Sequence, residues 1–98
     1  MNNARRRAIA RCIRSLRGPN PDTNGIMAEL EDILDEEDDA RDNMPENLQG
    51  SIRYDESEEA SDHLNEAISS LSDISEEDDD STVRDQINGA IEALNNIN

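Results

Sequence analysis

Asp55-Glu-Ser-Glu-Glu-Ala-Ser-Asp-His-Leu-Asn-Glu-Ala-Ile-Ser-Ser-Leu-Ser-Asp-Ile74 separates into two sides at helical pitch. Ala60, Leu64, Ala67, Ile68, Leu71 and Ile74 follow a 4-3-1-3-3 spacing and share one stripe. Asp55, Glu59, Asp62, Glu66 and Asp73 run down the opposite side. The stripe has to be hidden from water, and the carboxylates have to face water or a cationic partner. This pattern predicts an amphipathic helix over 52–75, with Ser51 suited to cap it and acids crowding its first turns.

Working outward, the same logic finds three more helices. Toward the C-terminus, Val83, Ile87, Ala90, Ile91, Leu94 and Ile97 repeat the spacing and predict a helix over 81–97. Gly89 lies inside it at a cost of ~1 kcal/mol against alanine. A close helix–helix approach at Gly89, Ala90 and Ala93 would offset that cost. Between these helices stands a run of five acids, 76–80, expected as a loop or a strained continuation. Toward the N-terminus, Ile26, Met27, Leu30, Ile33 and Leu34 predict a helix over 26–43, with Thr23 as an earlier possible start. Its later part, 35–42, has no apolar residue larger than Ala40, so that end is expected to project into solvent or fray. Gly18-Pro-Asn-Pro-Asp-Thr-Asn-Gly25 forbids a continuous helix before it. Residues 3–17 form the first helix, with Ala8, Ile9, Cys12, Ile13 and Leu16 on one face and Arg7, Arg11 and Arg14 on the other.

Length and composition bound the architecture. At 98 residues the chain is one small domain, and it contains no Phe or Trp and only one Tyr. A single cysteine leaves no internal disulfide to brace it. The expectation is an all-α bundle of three to four short amphipathic helices, coiled-coil-like in spacing. Self-association is expected as the remedy for a thin core. Disorder is the competing outcome for a chain of low hydrophobicity and high charge, and the regular apolar spacing argues against it.

Charge is the second feature. The net charge is -16, from 25 acids and nine arginines, with no lysine. Six of those arginines lie in residues 5–17, so that segment carries +6 and the rest carries -22. The plain reading docks the basic helix on acidic helices, its own or a neighbouring subunit's, through Arg7, Arg11 and Arg14. Direct nucleic-acid or membrane binding by this helix is the weaker alternative, because the acidic remainder repels phosphate. No apolar run of about 7–15 residues follows the basic start, and none approaches the ~20 of a membrane span, so a cytoplasmic protein is expected.

Reactive chemistry is not signalled. His63 stands at the edge of an apolar stripe with no nucleophile at usable spacing, and Cys12 reads as a small buried hydrophobe. The acid runs 35–39 and 76–80 lack the alternating oxygen ligands and glycine of a calcium loop. No catalytic residue, metal or cofactor is expected.

The run Asp42-Asn-Met-Pro-Glu-Asn-Leu-Gln-Gly-Ser-Ile-Arg-Tyr54, then Ser57-Glu-Glu-Ala60 and Glu66-Ala-Ile68, resembles a group of small acidic helical proteins. These are encoded by bacteriophages, prophages and other mobile elements, mostly without assigned function. The likeness covers about 41–71. It departs at 18–25 and at 76–80, where the group's pattern implies uninterrupted helix. The resemblance implies a phage setting in a bacterial host cell. Tiny acidic proteins there often inhibit host defence nucleases, CRISPR effectors among them.

Together these readings predict a non-enzymatic binding protein, anti-CRISPR-like, that mimics DNA or RNA with carboxylates. Asp55, Glu59, Asp62, Glu66 and Asp73 form one row, and Glu31, Asp35, Asp38, Asp39 and Asp42 a second, parallel one. The partner implied is a basic nucleic-acid-binding protein such as a host defence nuclease. The alternative is a structural or assembly oligomer with no inhibitory role.

Overall fold

A computed structural model describes residues 1–48, 50–75 and 77–97, Leu48 by its backbone alone. Four α-helices and one 3-10 turn account for the regular structure: α1 (Asn3–Leu16), α2 (Thr23–Asp42), the 3-10 turn (Glu46–Leu48), α3 (Ile52–Ser72) and α4 (Asp80–Asn95). The all-α bundle expected from the spacing is what forms. No strand occurs among the described residues, and no helix there is long and apolar enough to cross a membrane.

Each helix begins on a side chain that satisfies an otherwise orphaned backbone N–H. The Asn2 carbonyl oxygen accepts from the Arg5 amide at 2.8 Å, and Asp22 accepts from Gly25 at 3.1 Å. Ser51 accepts from Tyr54 at 3.3 Å, and Asp79 accepts from Thr82 at 2.8 Å. The Asp22 cap explains why α2 takes the earlier of its two expected starts, Thr23 and not 26. The breaker therefore ends at Asp22, and Asn24 and Gly25 lie inside the first helical turn. A Cβ at Gly25 would fall on the capping carboxylate of Asp22, which would have to swing aside. At its other end α3 stops at Ser72, short of the predicted 75. There the Asp78 carboxylate accepts from the Ser75 amide at 2.8 Å and folds the chain toward α4. Glu76, in the acid run 76–80, lies outside the described residues.

Helix α2 packs on α3, α3 on α4, α1 on α2, and α1 also on α4. This closes a four-membered ring in which α1 and α3 sit diagonally. The body is elongated, 49 × 20 × 18 Å. Its core takes Ile9, Cys12 and Leu16 from α1, Ile26, Leu30 and Ile33 from α2, Leu64, Ala67 and Leu71 from α3, and Ile87, Ala90, Ala93 and Leu94 from α4. The basic helix thus docks on its own chain, apolar face inward.

Two expectations about packing change. The acid-rich end of α2 neither frays nor projects: the helix runs to Asp42, and Glu37 is buried at 2% exposure. Gly89 is not imposed by close approach, since a Cβ there would meet the Ser70 hydroxyl at an ordinary 3.5 Å.

Candidate functional site

Two polar features compete for attention, one hidden and one displayed. The hidden one is an ionic network where α1, α2 and α3 meet. Glu37 follows Ile33 by four residues on the buried stripe of α2, so helical pitch drives a carboxylate into the interior. Arg5, four residues before Ile9 on α1, meets it: its Nε donates to Glu37 Oε1 at 3.0 Å. Ser57 of α3, fully buried, donates to Glu37 Oε2 at 2.5 Å, and the Met1 nitrogen lies 3.6 Å from the same oxygen.

Arg41, one turn further along α2, extends the network. Its Nη1 donates to the Ser57 carbonyl at 3.1 Å and to the Ser61 hydroxyl at 2.8 Å. Its Nη2 donates to Asp38 Oδ1 at 2.7 Å, and Ser61 donates to that same oxygen at 2.7 Å. Every carboxylate here meets a cation and a hydroxyl, which is the condition for keeping charge away from water. These bonds tie α2 to α3, and Arg5 ties α1 to α2 at the same carboxylate. They make the network a structural clasp and not a binding site.

This corrects the predicted second row. Asp38 was expected on the free acidic surface, but Arg41 and Ser61 hold its carboxylate. Glu31, Asp35, Asp39 and Asp42 are exposed. The rows are also not parallel neighbours. The face of α3 that meets α2 carries Ser57 and Ser61. At about 100° per residue, Asp55, Glu59, Asp62 and Glu66 point roughly 150° away from it.

The displayed feature is that α3 row. Asp55, Glu59, Asp62, Glu66 and Asp73 are all exposed, opposite the buried Ala60, Leu64, Ala67 and Leu71. Ile68 and Ile74, predicted on the stripe, are partly buried against the core. Asp62 and Glu66 border an open groove between α3 and α4, with Glu92 and Asn96 on its far side. His63 is half-buried beside the row, its Nδ1 3.7 Å from Glu66 Oε2. Among the described residues no group of three or more His, Cys, Asp or Glu side chains is placed to hold a metal ion.

Arg7, Arg11 and Arg14 are exposed on the side of α1 away from the core. Arg11 reaches Glu29 of α2 at 3.7 Å, with both side chains largely in solvent. The arginine that docks α1 is Arg5. Cys12 is 1% exposed, and burial, then the nearby Glu29 carboxylate, pushes its thiol up to about 12. The nucleophilic thiolate is therefore scarce at neutral pH.

Comparison with protein-family models, curated proteins and solved structures finds no match to this chain.

Proposed function

We propose that the chain acts by binding, as an acidic inhibitor that competes with nucleic acid for the cationic groove of a host defence protein. The phage or mobile-element setting comes from the resemblance of 41–71. The observation that carries the reading is the α3 ridge: five carboxylates along one side of α3, all exposed, with a packed aliphatic stripe behind them.

Spacing and shape support it. From Asp55 to Glu66 a charge recurs about every 5–6 Å along the axis, against ~3.4 Å along one strand of duplex DNA. The ridge is sparser than phosphate, and Glu92 across the α3–α4 groove adds charge beside it. An elongated body 49 Å in length presents that charge along a line, as a short duplex does. A rigid array loses little side-chain and backbone freedom on binding, and its attraction to a basic groove weakens steeply with salt.

The test is capture of host proteins on the immobilised chain, eluted by rising salt, followed by competition against nucleic acid for whatever is retained. Reversing Asp55, Glu59, Asp62 and Glu66 to Arg is expected to leave helicity unchanged and abolish both capture and inhibition. A charge-reversed chain that still inhibits removes the mimicry reading.

A further inference from the structure

The exposed arginine ridge of α1 has no role in the clasp, which uses Arg5, or in the proposed mimicry. Its geometry matches something else on the same molecule. Arg7, Arg11 and Arg14 are spaced by four and three residues, as are Asp55, Glu59 and Asp62. Taken in the opposite direction, Arg14, Arg11 and Arg7 match Glu59, Asp62 and Glu66, spaced by three and four. Both ridges rise at 1.5 Å per residue on continuous helices, so either polarity sets three arginines against three carboxylates in step.

The ring arrangement prevents these ridges from meeting within one molecule. Helix α1 borders α2 and α4, and α3 borders the same two, so α1 and α3 are diagonal. Each ridge points away from its own buried stripe, Ile9-Cys12-Leu16 on α1 and Ala60-Leu64-Ala67-Leu71 on α3. They therefore lie on opposite faces of a body only 20 × 18 Å across.

We infer that a second copy of this chain lays its α1 arginine ridge along the α3 carboxylate ridge of the first. The contact is heterologous: each copy uses one face and leaves the other free, so it propagates as an open stack unless the rotation closes a ring. The intramolecular Arg11–Glu29 pair competes weakly, because both side chains are exposed and such pairs contribute little.

The stronger opposing effect is the whole-molecule charge of -16, which repels any second copy. Screening decides between them. At about 0.01 M salt the screening length is ~30 Å and repulsion spans the body; at about 0.1 M it is ~10 Å, short of the body's width but longer than a contact pair. At about 1 M it is ~3 Å and the contact pairs are themselves screened. Association is thus strongest at intermediate salt. The inference stands without the proposed inhibitory role, since it concerns the chain alone. A basic target on the same α3 ridge would displace the second copy.

Sedimentation velocity of the full chain across salt tests it. The weight-average mass is expected to rise above 10.9 kDa near 0.1 M salt and to fall back at about 1 M. The neutral variants R7Q/R11Q/R14Q and D55N/E59Q/D62N/E66Q should each remain at 10.9 kDa. Each spoils one face and keeps the other, so an equal mixture should give one discrete pair of twice 10.9 kDa, 21.8 kDa, and nothing longer. A wild-type chain that stays at the single-chain mass at every salt overturns the inference. So does association that either variant leaves unchanged, or a mixture that fails to pair.

Discussion

The two ends of this bundle solve the same problem differently. At the end near α4, four helices meet, and Leu16, Ile26, Leu71 and Ile87 close the interior with aliphatic side chains. Helix α4 runs antiparallel to α3, with Gly89 beside Ser70, and it finishes at Asn95, near Asp62. Residues 52–60 of α3 continue past it. There α1, α2 and α3 meet without α4, and the interior turns ionic around Glu37, Arg5, Ser57 and Arg41. The contrast teaches that a chain with few large hydrophobes can still complete its core where every buried charge is matched. A matched ionic interior is worth no more than a well-packed apolar one, and removing one member is what costs.

That contrast can be broken at one atom. Arg5→Ala leaves the Glu37 carboxylate buried without its side-chain cation, and should cost about 3–5 kcal/mol in urea unfolding. This is a large share of the ~5–15 kcal/mol typical of a domain. Arg5→Met with Glu37→Leu removes both charges and should recover most of that loss. A double variant as unstable as the single one would mean the ionic end is not interchangeable with an apolar one.

Arg41→Ala removes the bonds to Ser57, Ser61 and Asp38 at the α2–α3 seam, and about 2 kcal/mol is expected by the same measurement. Cys12 probes the apolar end by pH. Its thiol keeps its proton in the folded chain up to about 12, whereas the unfolded thiol releases it from 9.0. The unfolded state therefore gains as pH rises above 9.0, and stability falls, by on the order of 1 kcal/mol at pH ~10. Cys12→Ala should flatten that part of the stability–pH curve. Gly89→Ala should have the smallest effect and the opposite sign: a gain of about 0.8–1 kcal/mol in thermal or urea unfolding, because the added methyl only touches Ser70.

Much of the fold was legible because aliphatic residues recur at helical pitch. Ile9-Cys12-Leu16, Ile26-Leu30-Ile33 and Leu64-Ala67-Leu71 are all buried as their spacing required. The clasp was not legible to a reading that counts apolar side chains. Glu37 and Arg41 continue the stripe of α2, Arg5 continues that of α1, and Ser57 and Ser61 precede Ala60 and Leu64 by three. The signal was present as opposite charges and hydroxyls landing on buried positions. It was masked because acid runs usually mark solvated faces. The exposed α3 row followed directly from its place opposite the stripe. The second row lost Asp38 because helix-to-helix orientation comes from cross-helix bonds, which no single helix encodes.

Cys12 has one more consequence. Its sulfur sits on the underside of α1, at the middle of the face that seals the interior. A thiol reagent can reach it only when that helix lifts. The labelling rate is then a clock for how often the lid of the bundle opens, read at a native residue without any engineered cysteine.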